Sequence, residues 1–274
     1  MVRSSLNRPR LVRTSIIIPL ESSDPVAASQ FDDTLASILR NRPASSQIIV
    51  AHDGSYSDPF GLADEVDFVS TERKPHLIRL LNCGLRVATG QFIVTLRPGV
   101  ELSDGWDEVI DSAFKDPKIA SVSPALVCPT NPAKMIAGGV EANFGLTRML
   151  CGEAGRMTEK STKRISPVGP TSWAAFYRRD ALDEVGSFDE TLDPVYVDLD
   201  VALALRSLGY RCAFRPQVVA NVALPKRILR EAQSPHGRSA QRAMRRHSNG
   251  MNPILRGALA VSYTHLTLPT TPYV

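Results

Sequence analysis

Three groups of residues in this sequence have types and spacings that could do chemistry. Arg97-Pro98-Gly99 closes an apolar, β-branched run at 91–96. Proline removes a donor from a sheet and Pro-Gly marks a turn, so the run reads as a buried strand that stops here. Ser103 and Asp104 then precede Trp106, Val109, Ile110 and Phe114 at helical spacing. Strand, tight turn and helix make half of a βαβ unit, and open α/β sheets hold ligands just beyond the carboxyl ends of their strands. There the Arg97 guanidinium offers a donor fork suited to phosphate oxygens. Asp53-Gly54-Ser55 ends a second short run at 47–50. Its carboxylate can accept from a base N–H, and it equally fits an Asx turn closed on its own backbone. Asp198 and Asp200 stand at the start of a helical pattern, 197–208, where carboxylates also suit the helix dipole.

The elements that must position these groups alternate. Residues 15–19 read Ser-Ile-Ile-Ile-Pro, a short strand, and Phe31, Leu35, Ile38 and Leu39 then recur at helical spacing. Strands at 47–50 and 66–69 follow. Leu77, Leu80, Leu81, Leu85 and Ala88 line a helix that stops at Gly90. The strand at 91–96 and another at 119–122 continue the series. The alternation predicts an α/β fold, a mostly parallel central sheet with helices on both faces. The stretch 124–170 is rich in Gly, Pro and polar residues; 135–141 and 146–151 fit a hairpin, and 153–166 an exposed loop. Regular structure returns at 171–177, with a helix at 178–185, the helix at 197–208, and short strands at 212–214 and 218–222.

The 274 residues are 43% hydrophobic, enough for one large α/β domain or two small ones. No uncharged apolar run reaches the ~18 residues of a membrane span, and no apolar segment follows the N-terminal arginines as a signal peptide requires. Cys83, Cys128, Cys151 and Cys212 form no CxxC pair. That argues against a zinc site and for buried thiols in a reducing, cytoplasmic compartment. The formal charge of +4 divides unevenly. Residues 1–13 carry Arg3, Arg8, Arg10 and Arg13 and no acid, 225–260 carry eight basic residues against Glu231 alone, and the core 14–224 is net acidic. Basic ends can contact RNA or an anionic surface. A solvated tail fits the same residues, because no aromatics interleave with the arginines as on a stacking platform. Residues 261–271, Val-Ser-Tyr-Thr-His-Leu-Thr-Leu-Pro-Thr-Thr, resemble the translation of a transposase-type sequencing adapter. We read 261–274 as such a read-through, outside the fold, and expect the natural chain to continue past Ala260.

Motif order across 14–224 resembles the family-2 glycosyltransferases of the GT-A fold. The matching pieces are Ser15-Ile-Ile-Ile-Pro19, Asp53-Gly54-Ser55, Asn82-x-Gly84, Ala88-x-Gly90, the run from Tyr177 to Glu190, Asp198-x-Asp200, Arg206 and Gly209-Tyr210. The resemblance implies transfer of a sugar, with inversion, from a nucleotide-sugar, a UDP-sugar first of all, to an acceptor saccharide or lipid. It implies that Pro19, Asp53, Arg97 and Asp200 lie at the donor site, with Asp53 on the uracil ring. It also implies that Asp198 is the base that takes the acceptor proton. The sheet should then bring Pro19, Asp53 and Arg97 to one edge.

The departures concern the metal. The family's Asp-x-Asp falls on Arg97-Pro98-Gly99, the glutamate before the catalytic aspartate is Val197, His52 replaces an aspartate, and a late histidine is missing near Asn221 or Val222. Magnesium or manganese wants hard oxygen ligands, and only Glu101, two residues past the motif, offers one nearby. No metal ligand is therefore assigned. Three readings follow: a glycosyltransferase that neutralises the diphosphate with basic side chains, a non-catalytic nucleotide- or partner-binding protein on the same fold, and a basic-tailed surface- or RNA-associated protein with the core as scaffold.

Overall fold

The computed structural model describes residues 12–21, 25–71, 76–142, 147–152, 155–233 and 246. The expectation for 261–274 lies outside the described residues. In chain order the first half runs β1 (Thr14–Leu20), α1 (Pro25–Asn41), β2 (Ser46–His52), β3 (Val66–Ser70), α2 (Leu77–Val87), β4 (Phe92–Leu96), β5 (Val100–Leu102) and α3 (Trp106–Ala113). Then come β6 (Ile119–Cys128), β7 (Asn131–Ala137), β8 (Val140–Ala142), β9 (Arg148–Leu150) and α4 (Glu159–Thr162). The last part is β10 (Ala174–Arg178), α5 (Arg179–Glu184), α6 (Val197–Ser207), β11 (Arg211–Val222) and α7 (Pro225–Gln233).

The isoleucines of β1 explain the layers. Successive strand residues point to opposite faces, so Ile16 and Ile18 join one core and Ile17 the other. Ile48 and Val50 of β2, and Val94 and Leu96 of β4, fall with Ile16, whereas Ile49 and Ile93 fall with Ile17. Phe31, Leu35 and Ile38 of α1 and Trp106 and Ile110 of α3 cover the first face. Leu77, Leu81 and Leu85 of α2, with Leu182 of α5 and Val201 and Leu205 of α6, cover the second. Helices thus lie on both faces of a mostly parallel sheet, as the alternation predicts.

The sheet order is β3-β2-β1-β4-β10-β6-β11-β5, with β7 on β6. β3, β2, β1 and β4 are parallel, and β6 is parallel to β11. β10 runs antiparallel between β4 and β6. Pro19 pairs with Ala51, and Ile17 with Thr95. Continued along the strands, that register brings Pro19, Ala51 and Arg97 level, with Asp53 just beyond, all at the carboxyl edge.

Several elements differ from the sequence reading. β6 extends to Cys128 rather than stopping at Val122, and the two strands expected at 212–214 and 218–222 are one strand, β11. The cause is shared: Pro124 lies opposite Arg215, where the β6–β11 register slips between Arg215 and Val219. Proline donates nothing to a ladder and sits where the ladder is irregular. The hairpin is β8 with β9, and the exposed loop contains the short α4, started by Thr158 in a capping box with Ser161. Neither Ser103 nor Asp104 caps α3; its first residue follows Gly105, held at φ 70°. Past residue 224 the basic segment opens with α7, whose Ile228 is buried in the first core.

Candidate active site

The turn after β4 is built by its own three residues. The Val100 N–H donates to the Arg97 carbonyl at 3.2 Å, Pro98 sits at the second position, and Gly99 takes φ 89° at the third. Proline then glycine at positive φ is the pattern of a type II turn. The Gly99 N–H also donates to Thr34 Oγ1 at 2.9 Å. A carboxylate in place of Gly99 would be strained by this backbone before it met any ion.

Arg97 is almost covered. Its guanidinium lies 4.1 Å over the Trp173 ring and its Nη1 donates to Glu231 Oε2 at 3.0 Å. Trp173 Nε1 donates to the same oxygen at 2.9 Å, and Arg227 Nε donates to Glu231 Oε1 at 3.3 Å. Burial pulls the Arg97 guanidinium below its ordinary pKa, against the attraction of Glu231.

Asp198 is 1% exposed. Its Oδ1 accepts from Arg148 Nε at 2.8 Å and from the Leu199 N–H at 2.7 Å; its Oδ2 accepts from Arg148 Nη2 at 2.7 Å and the Ser172 N–H at 3.0 Å. Four donors fill the roughly four acceptor positions of a carboxylate. Burial disfavours the Arg148 charge, yet the Asp198 attraction and hydrogen bonds hold its pKa above the ordinary value. Arg148 Nη1, Ser172 Oγ and Thr171 Oγ1 are buried with no protein partner. Thr171, Ser172 and Trp173 are consecutive, so one segment joins the Asp198 group to the Arg97 group. Its placement is fixed by the Arg97 N–H, which donates to the Trp173 carbonyl at 3.0 Å.

The other expected residues are divided. Asp53 Oδ1 accepts from the Ser55 N–H at 3.1 Å and Ser55 Oγ at 2.6 Å, an Asx turn beyond β2. His52 Nδ1 accepts from the Gly54 N–H at 3.1 Å, and burial lowers the histidine pKa while Asp53 raises it. Pro19 is buried within β1. Asp200 is buried and accepts from Arg246 Nη1 at 2.7 Å; the same Arg246 nitrogen reaches Asp189 at 3.4 Å. Pro19, Asp53 and Arg97 thus share the sheet edge, Asp198 is joined to Arg97 through residues 171–173, and Asp200 is tied to Arg246.

Among the described residues no group of three or more His, Cys, Asp or Glu could hold a metal. Glu101 pairs across the β5–β11 ladder with Asn221, and the Arg97 side chain is held by Trp173 and Glu231. These donors do not fit a divalent cation at the turn.

Sequence reasoning missed Arg148, Trp173, Arg227 and Glu231. Arg148 lies in a stretch without strong periodicity, 50 positions before Asp198. Glu231 did leave a signal: it is the single acid among the eight basic residues of 225–260.

No protein-family model matches this chain, and no curated protein matches it by sequence. Solved structures do match. GalNAc-T7, seen with UDP, GalNAc and Mn²⁺, aligns over 77% of this chain and 43% of its own, at 16% identity and a TM-score of 0.60. TarS of S. aureus aligns over 93% of this chain and 44% of its own, at 12% identity and a TM-score of 0.55. The mannosyltransferase PcManGT of Pyrobaculum calidifontis, seen with GDP-Man and Mn²⁺, aligns over 94% and 81%, at 16% identity and a TM-score of 0.50. The chain spans less than half the length of GalNAc-T7 and of TarS. At these identities the likeness establishes the fold, which is GT-A.

Proposed function

We propose that this chain is a family-2 glycosyltransferase that moves a sugar from a nucleotide-sugar to a saccharide or lipid acceptor with inversion, using fixed guanidinium charge where an Asp-x-Asp turn would use a metal. The observation that carries this reading is Arg97, level with Pro19 at the carboxyl end of β4, with Arg227 reaching the same carboxylate. Ligands of open α/β sheets bind at that edge, and guanidinium forks suit phosphate oxygens. In the reaction the acceptor oxygen attacks the anomeric carbon, the bond from that carbon to the diphosphate oxygen breaks, and Asp198 takes the acceptor proton. Arg97 stabilises the charge that develops on the leaving diphosphate. Asp198 must release one of its four donors to act, and the Ser172 N–H, at 3.0 Å, is the longest of them.

Asp53 is assigned to the base, with uracil first, and Pro19 and Asp200 to the donor site. A cytoplasmic setting fits the free cysteines, two of which, Cys151 and Cys212, are pushed up to about 12, chiefly by burial, and so are held as inert thiols. No described helix is long and apolar enough to cross a membrane. A thermal-shift screen of UDP, GDP, dTDP and their sugars, with and without Mn²⁺, tests the reading. Stabilisation by one nucleoside diphosphate without Mn²⁺ supports it, and no response to any of them contradicts it.

A second reading, a nucleotide-binding protein without transfer activity, is favoured by the four donors on Asp198. It forecasts the same thermal shift with no release of nucleoside diphosphate from any donor sugar.

A further inference from the structure

Glu231 is the single acid of α7, which otherwise carries Lys226, Arg227 and Arg230. An acid in so basic a helix would be expected at the surface beside its neighbours. Instead its side chain is about four-fifths covered (19% exposed), turned to the carboxyl edge of the sheet. Oε2 receives Arg97 Nη1 and Trp173 Nε1, and Oε1 receives Arg227 Nε. The indole orients both cations: Arg97 lies 4.1 Å and Arg227 5.9 Å from its centroid. Three donors from three separate elements therefore converge on one anionic group.

Two guanidinium groups face one carboxylate, with Glu21 acting on Arg97 more weakly, and the buried Arg148 also feels Glu231. A phosphoryl group brings more negative charge and more acceptor oxygens than a carboxylate, and Arg forks match its geometry. Ile228 is buried, while Leu224 and Leu229 are only partly buried against the core.

We propose that Arg97, Trp173 and Arg227 form a phosphate subsite whose internal occupant is Glu231, so that the diphosphate of the donor binds by displacing this carboxylate and freeing the last turn of α7, beyond Arg227, from the cradle. The identity of the ligand as a nucleotide-sugar rests on the function proposed above; the anion cradle and its exchange do not. The chain then holds its own site closed until donor arrives. An occupied cradle lowers apparent affinity by the fraction of molecules in which it is open.

The test is calorimetric titration of the full chain and of Glu231→Gln with inorganic pyrophosphate and with UDP, alongside hydrogen exchange of the α7 amides. The expected result is pyrophosphate binding about tenfold tighter in Glu231→Gln, as for a cradle closed in about nine molecules of ten, and faster α7 exchange in the parent when pyrophosphate is added. Equal pyrophosphate affinity in both proteins, with α7 exchange unchanged, overturns the proposal. UDP separates the two claims. Tighter pyrophosphate binding without any UDP binding keeps the displaced carboxylate and removes the nucleotide-sugar reading. UDP binding that ignores the Glu231 substitution keeps that reading and removes the displaced carboxylate. If Glu231→Gln does not fold, the exchange measurement on the parent chain decides, and α7 amides unmoved by saturating pyrophosphate overturn the proposal.

Discussion

Arg148 of β9 grips both oxygens of Asp198 on α6, Nε to Oδ1 at 2.8 Å and Nη2 to Oδ2 at 2.7 Å, with both side chains nearly out of water. Removing one member of a buried pair leaves the other's charge uncompensated, which costs about 3–5 kcal/mol. Arg148→Met keeps most of the volume and loses the charge. Its thermal unfolding midpoint should fall well below that of the parent chain, and an unchanged midpoint would show that Asp198 is held by Ser172 and the α6 backbone alone.

Asp198→Asn keeps the shape and removes the basicity. Transfer to acceptor should be abolished while nucleotide binding is spared, with a loss of stability because Arg148 keeps its charge beside a neutral amide. Turnover at the parent rate in this variant would move the base to another carboxylate, with Asp200 and Asp189 next in line.

His52 gives the fold an acid-sensitive joint. Its Nδ1 accepts from the Gly54 N–H, so the ring is neutral there, and burial lowers its pKa from the ordinary 6.5. The unfolded chain therefore takes up this proton before the folded one does. The histidine's contribution is intact above about pH 6.5 and is lost as pH falls through the lower folded value. Unfolding midpoints measured from about pH 7.5 down to 5 should fall in the parent and fall less steeply in His52→Asn, whose amide oxygen can keep the Gly54 bond. Parallel slopes would assign the acid sensitivity elsewhere.

Gly90 shows why the turn into β4 needs a glycine. A Cβ there would lie 2.5 Å from the Ser15 backbone nitrogen, and the Gly90 N–H donates to Ser15 Oγ at 2.9 Å. Backbone cannot yield as a side-chain tip can, so Gly90→Ala should destabilise by about 1–3 kcal/mol. Denaturant unfolding measures it, and a neutral result would mean that β1 and β4 can part at this end.

The parts of the fold written in local pattern were legible from sequence. Ile16, Ile17 and Ile18 announce a short β-branched strand, and Pro98-Gly99 announces the turn that the backbone of Gly99 requires. Elements whose reason lies far along the chain were not legible. The strands at 119–122, 212–214 and 218–222 read as short because the slipped β6–β11 ladder that lengthens and joins them exists only after the strands pair. β10 gives no sign that it will lie antiparallel between β4 and β6. At the site, Asp53, Asp198 and Arg97 stood out by type and position. Their partners did not, since Arg148 comes from a short hairpin and Glu231 from a helix hidden in a basic run.

The central claim is that Arg97 does at this sheet edge what a metal does in an Asp-x-Asp turn. It is tested most directly by the affinity of the chain for UDP, measured by calorimetry with EDTA present, in the parent and in Arg97→Ala. Losing hydrogen bonds to a charged group costs roughly 1.5–3 kcal/mol, about ten- to hundredfold in affinity. The account predicts binding that ignores EDTA, weakens with added salt, and falls by that factor in Arg97→Ala. Binding that EDTA abolishes, or that is equal in Arg97→Ala and the parent, would contradict it.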